Sequence, residues 1–190
     1  MDVTDLKGLQ AECTKRMSAA TEHVRHELSG VRTGRATTTI LDSVHVEAYG
    51  SKMPLNQLAS LSVPEPTMIV AQPFDPSQLG AIEKAIRASD LGLNPANDGK
   101  VVRIPVPPLT EERRKELSRH VHKLAEEGRN SVRTVRRDAN DRLKKLLKEH
   151  KISEGDERRA LEEVQKLTDG HVGSIDDMQK KKDAELLGGK

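Results

Sequence analysis

Residues 109–150 read LTEERRKELSRHVHKLAEEGRNSVRTVRRDANDRLKKLLKEH, and the spacing of their apolar side chains decides the fold. Leu117, Val121, Leu124, Gly128, Val132, Val135, Ala139, Leu143 and Leu146 recur at intervals of three and four, with no proline between them. This pattern lays one apolar stripe along a helix. Leu109 to His150 therefore predicts a single rod of about 60 Å at 1.5 Å per residue. Pro107 and Pro108 precede it, Thr110 can cap it, and Glu111 and Glu112 suit the positive end of its dipole. Gly128 costs roughly 1 kcal/mol against alanine in mid-helix, and a close approach of a neighbouring helix is the favoured reason for it.

A one-sided rod must bury its stripe, and two further stretches can cover it. Leu6, Leu9, Cys13, Met17, Ala20, Val24 and Leu28 form a helical face that ends near Gly30. After His150, Ser153 and Asp156 stand at capping-box spacing, followed by Leu161, Val164, Leu167, Ile175 and Met178, which carry a helix to about Leu187. Three long amphipathic helices predict an antiparallel three-helix bundle. Between the first and second lies a stretch of different texture, which with the connector up to Pro107 holds eight of the nine prolines and both aromatics. Val44–Tyr49, Ala59–Val63, Met68–Gln72 and Val101–Ile104 read as strands, with turns at Gly50, Pro64-Glu-Pro66 and Asn97-Asp-Gly99. One helix is expected inside it, capped by Asp75, opened by Pro76 and lined by Leu79, Ile82 and Ile86. The expected class is α+β: an elongated bundle from residues 1–30 and 105–190, with a small β/α/β domain, 31–104, inserted. The two connectors, Gly30-Val31 and Pro105-Val106-Pro107-Pro108, then act as a hinge.

Composition narrows the function. Leu, Val, Ile and Phe make up about 23% of the 190 residues, enough for a packed core, and 32 basic against 30 acidic residues leave a net charge of +2. With no Trp, one Tyr and one Phe, there is no set of aromatics on which to stack bases, so a nucleic-acid partner would be held by its backbone. The single Cys13 excludes an intrachain disulfide and any cysteine-based zinc module. No apolar run approaches the roughly 18 residues of a membrane span, and Met1 to Lys7 carries two aspartates and no signal-like apolar segment. A soluble cytoplasmic protein is expected.

Charge is segregated along the chain. Residues 109–150 carry a net +5, whereas 31–104 balance and 151–190 sum to −2. On a helical wheel Arg129, Arg133, Arg136, Arg137 and Asn140 fall within about 100° beside the apolar stripe, with Asp138 and Asp141 turned away. Guanidinium forks suit phosphate oxygens, so the ribbon is a candidate RNA or DNA backbone contact. A solvated face with intrahelical pairs is the other reading, weakened by the lack of carboxylates four residues after Arg129 and Arg133.

Enzymatic readings find little support. Asp98-Gly-Lys100 lacks the second glycine and the Ser/Thr of a phosphate loop, and His23 with His26 has no Cys or carboxylate partner for a metal. Cys13 falls on the apolar stripe, which suits a core residue better than a nucleophile. No catalytic residues, metal or cofactor are expected.

Five motifs in order are similar to the bacterial ribosome recycling factor family: Val31-Arg-Thr-Gly-Arg-Ala36, Ala88-Ser-Asp-Leu-Gly-Leu-Asn-Pro95, Pro107-Pro-Leu-Thr-Glu-Glu-Arg-Arg-Lys115, Val132-Arg-Thr-Val-Arg-Arg-Asp-Ala-Asn140 and Val164-Gln-Lys-Leu-Thr-Asp169. The resemblance spans essentially the whole chain. It implies an L-shaped, tRNA-sized monomer that binds large-subunit ribosomal RNA near the intersubunit bridges after termination. It further implies that elongation factor G and GTP then act with it to split the ribosome and release mRNA and tRNA, the GTP belonging to elongation factor G. By the same resemblance the RNA contact falls on Arg114, Arg133 and Arg136, with Arg129 and Arg137 flanking.

Overall fold

A computed structural model describes residues 3–187; residues 1–2 and 188–190 of the expected bundle segments lie outside that range. The chain divides into two compact units, one comprising the chain up to Thr33 and from Glu111, the other Gly34–Thr110. The expected boundaries at 30/31 and 104/105 fall three to six residues earlier than these.

The first unit is three helices: α1 (Leu6–Ser29), α4 (Glu111–Lys148) and α5 (Glu154–Leu187), each packed on the other two. The Asp5 carboxylate accepts the Gly8 N–H at 2.6 Å and caps α1. Its stripe of Leu9, Cys13, Met17, Val24 and Leu28 is buried, as are Val121, Val132, Ala139, Leu143 and Leu146 of α4 and Val164, Ile175 and Leu186 of α5. The long rod starts two residues later than Leu109 and ends two before His150. Its end is set by a Schellman motif. His150 takes a left-handed φ of 55°, its N–H reaches the Leu147 carbonyl at 3.0 Å, and the Lys151 N–H reaches that of Leu146 at 2.9 Å. Ser153 and Asp156 form the expected reciprocal capping box, with Asp156 N–H to Ser153 Oγ at 3.1 Å and Ser153 N–H to Asp156 Oδ2 at 3.2 Å.

Gly128 explains how tightly the helices meet. A Cβ at this position would lie 2.1 Å from Val24 Cγ2 of α1 and 3.3 Å from Ile175 Cδ1 of α5. The absent side chain lets three helices converge at one level of the bundle.

The second unit contains a two-stranded hairpin, β1 (His45–Ala48) and β2 (Ser51–Pro54), then a single turn of helix, α2 (Leu55–Leu58). Its main sheet is antiparallel in the order β3 (Ala59–Glu65), β4 (Met68–Pro73), β6 (Val102–Pro105), β5 (Ala96–Asn97), and α3 (Leu79–Ala88) contacts β1, β5 and β6. Ile69, Ile82, Ile86, Val102 and Ile104 are fully buried in its core. Three details differ from the sequence expectation. β2 and β5 are additional strands, and their residues carry no alternating β-branched pattern that would announce them. Pro64-Glu-Pro66 is not a turn as a whole: β3 runs through Glu65 with its register broken between Ser62 and Glu65, and the turn is Pro66-Thr67. Proline is tolerated there because β3 is an edge strand and the break removes the need for its N–H.

Candidate nucleic-acid interface

The basic ribbon lies on α4, but its arginines stand in unlike surroundings. Arg129 is 15% exposed, and its Nε donates to Glu126 Oε2 at 2.8 Å. Its Nη1 donates to Asp176 Oδ1 at 2.7 Å and to Gln179 Oε1 at 3.0 Å on α5. This guanidinium clamps α4 to α5. Arg133 is more open, at 39% exposure, and its Nη1 donates to Glu126 Oε1 at 3.1 Å and Asn130 Oδ1 at 3.2 Å. Glu126 thus bridges two arginines, and the hydrogen bond from Arg129 leads the effects that hold its carboxyl below the usual range.

Arg136 meets a neutral partner instead. Its Nη1 donates to Gln165 Oε1 of α5 at 3.1 Å, and Gln165 Nε2 in turn donates to Asp169 Oδ1 at 2.8 Å, which turns the amide oxygen toward the arginine. Arg137 is exposed, Arg114 near the start of α4 is half-buried, and Asn140 is half-buried with its Oδ1 out of contact with water. Asp138 points away from the ribbon, as the wheel predicts, and pairs with Arg16 of α1 at 2.9 Å. What the wheel misses is Glu126, which lies three residues before Arg129 and seven before Arg133. The acid was legible in the sequence on looking backward along the helix; Asp176, Gln179 and Gln165 come from another helix and were not.

Of the connector residues, Val31 and Val106 are tied into the units they adjoin. Gly30 caps α1 in a right-handed helical conformation, and Val31 is buried with its N–H on the Leu28 carbonyl at 3.1 Å. Pro105 closes β6 opposite Met68, and Val106 is buried in the small unit's core with its N–H on the Thr67 carbonyl at 2.8 Å. Pro107 and Pro108 follow, exposed and without regular structure.

The other singled-out groups have structural settings. Asp98 Oδ1 accepts the N–H groups of Lys100 and Val101 at 3.0 and 2.9 Å, which makes Asp98-Gly-Lys100 a side-chain-stabilised turn. Cys13 is fully buried, and burial pushes its thiol up. His23, His26 and His120 are exposed. No group of three or more potential metal ligands occurs among the described residues, and none of their helices is long and apolar enough to cross a membrane.

Comparison with known proteins places this architecture. The family model described as ribosome recycling factor matches residues 24–187. The ribosome-recycling factor of Rubrobacter xylanophilus is 52% identical over 186 residues, covering 98% of both chains. That of Chloroflexus aurantiacus is 52% identical over 182 residues, covering 96% of this chain and 98% of the relative. A solution structure of a ribosome recycling factor matches 98% of this chain and all of its own at 44% identity and a TM-score of 0.76. A second solved chain comes from models for the T. thermophilus ribosome recycling factor and the E. coli elongation factor G bound to the E. coli post-termination complex. It matches 96% of this chain and 99% of its own at 50% identity and a TM-score of 0.63. Sequence over nearly the full length, the α+β architecture and an arginine-bearing central helix agree: this chain belongs to the ribosome recycling factor family.

Proposed function

We propose that this chain binds the post-termination ribosome through large-subunit RNA near the intersubunit bridges and, with elongation factor G and GTP, splits it into subunits so that mRNA and tRNA leave. The observation that carries this reading is near-full-length identity of about half to ribosome recycling factors, one of which has been placed with elongation factor G on a post-termination complex. On this reading Arg133, Arg136 and Arg137 neutralise RNA phosphates, and Arg114 adds a contact near the start of α4. Arg129, spent on Glu126, Asp176 and Gln179, holds the face in shape from beneath. The chain acts as a monomer, needs no cofactor of its own and catalyses no bond cleavage; GTP hydrolysis belongs to the elongation factor.

The mechanical half of the proposal concerns the connectors. The small unit turns as a body about Gly30-Val31 and the Pro105 to Pro108 segment while the bundle stays on RNA. Because Val106 is part of the small unit's core and the bundle resumes at Glu111, rotation on that side is taken up after Val106, between Pro107 and the start of α4. A light-scattering assay of subunit splitting tests the whole reading: signal loss should require this chain, elongation factor G and GTP together. Splitting that proceeds equally without the chain would refute it. A reducible crosslink between the two units, in a Cys13→Ala background, should preserve large-subunit binding and block splitting until reductant is added. Normal splitting by the oxidised protein would remove rotation from the mechanism.

A further inference from the structure

We infer that Glu126 is a built-in counter-ion that holds Arg129 and Arg133 in a self-neutralised state and yields the Arg133 Nη1 to an RNA phosphate when that residue engages. This rests on the proposed phosphate contact and deepens it by naming what restrains that contact in the free protein.

The geometry carries the point. Arg129, Arg133, Glu126 and Asp176 form one connected set of two cations and two anions, with N–O distances of 2.7 to 3.1 Å. Its formal charge is zero, so the attraction a polyanion meets on approaching Arg133 comes from the neighbouring Arg136 and Arg137 and not from this cluster. The two acids do different work. Asp176 and Gln179 hold Arg129 on α5 independently of Glu126, so the helix clamp does not depend on Glu126. Glu126 is half-exposed and sits on the same face of α4 as Arg133, where it repels any phosphate that comes within reach. Its lowered pKa keeps it ionised at neutral pH, so protonation does not relieve the repulsion.

A phosphate therefore gains the Nη1 of Arg133 only by exchange, in which its hydrogen bond passes from Glu126 to a phosphate oxygen. Exchange is favourable where a rigid RNA presents a phosphate at the right place and supplies other contacts, for example at Arg136. It is unfavourable for a loose single strand, which has to order itself as well. Glu126 thus lowers general affinity for polyanions more than affinity for the proper site, which makes it a specificity determinant of the face.

Glu126→Gln tests this, since the amide oxygen can still accept from either arginine while the charge is gone. Binding of an oligouridylate and of purified large subunits is titrated over several salt concentrations, for the wild type, Glu126→Gln, Arg133→Ala and the double variant. Expected for Glu126→Gln is binding to oligouridylate tighter by roughly threefold to tenfold near 0.1 M salt, with a log–log salt slope steeper by about 0.7, the value for one extra phosphate on a single strand. Large subunits should gain less, and the double variant should bind like Arg133→Ala alone. Thermal melting checks that the bundle is intact. An unchanged or weaker affinity for oligouridylate, or a gain that persists without Arg133, overturns the inference. If Arg133→Ala itself leaves large-subunit binding and its salt slope unchanged, the phosphate assignment fails instead, so the two failures are separable.

Discussion

Gly128→Ala is the substitution for which local and tertiary physics give opposite signs. Within an isolated helix the change should stabilise by roughly 1 kcal/mol, since glycine is a poor helix former. In the bundle the new methyl would lie 2.1 Å from Val24 Cγ2, and Val24 is 2% exposed. About 1.7 Å of separation must be opened to reach ordinary methyl contact near 3.8 Å. Valine in a helix has one strongly preferred rotamer, so Cγ2 does not swing aside cheaply, and Ile175 closes the other side at 3.3 Å. Overpacking of this kind costs about 1–3 kcal/mol, and the size of the overlap puts this case at the upper end, leaving a net loss of about 2 kcal/mol. Urea titration followed by helical circular dichroism measures it. Val24→Ala provides the internal control. Once Cγ2 is removed, the nearest Val24 atom to the new methyl is Cβ at 3.5 Å, an ordinary contact. Gly128→Ala should then become neutral or stabilising, with a coupling above about 1 kcal/mol in the double-mutant cycle. A rise in stability for Gly128→Ala alone, or an identical effect in both backgrounds, would refute the close-approach argument.

Three other outcomes are expected. Arg136→Ala should weaken large-subunit binding by about 1–3 kcal/mol with a shallower salt dependence and unchanged melting, whereas Arg129→Ala should lower the melting temperature, as read by calorimetry and salt titration in parallel. Burial holds the His171 imidazole, hydrogen-bonded through Nδ1 to Thr21 Oγ1 at 2.8 Å, below its ordinary value of 6.5. The unfolded chain takes up that proton first, so stability should fall as pH drops through about 6.5 and level off once the folded imidazole is also charged; His171→Gln should flatten this segment of the urea-midpoint profile. Ser153→Ala removes one half of the capping box and should cost about 0.5–2 kcal/mol, with amide exchange fastest in the first turn of α5.

The bundle was legible because each helix carries a one-sided stripe with recognisable ends. The spacing of Leu9, Cys13, Met17, Val24 and Leu28, and the Ser153/Asp156 pair, needs no knowledge of neighbours. β2 was not legible because Ser51-Lys-Met-Pro54 is held as a strand by its partner and by the Tyr49-Gly50 turn, whose φ values of 53° and 78° suit a tight hairpin. At the arginine face, position on the helix was predictable and partnership was not. One wheel places Arg129 and Arg136 20° apart, yet α5 offers Asp176 to one and Gln165 to the other, and only the packed structure separates a clamp from an available cation.

The place of the small unit in the chain also sets an order of events during synthesis. α1 ends at Ser29 and α4 begins at Glu111, about 80 residues later. At roughly 5–20 residues per second, α1 leaves the exit tunnel some 4–16 s before the helix that covers it starts to emerge. The inserted unit draws its core only from its own segment, which is complete once Val106 has emerged, just ahead of α4; until then the stripe of Leu9, Met17, Val24 and Leu28 has nothing native to pack on. Helices in proteins owe most of their stability to tertiary packing of the apolar face, so α1 waits as a nascent amphipathic segment, open to chaperones that hold such faces. It closes onto α4 and α5 only once they have emerged, so the bundle is assembled after the inserted segment has been made.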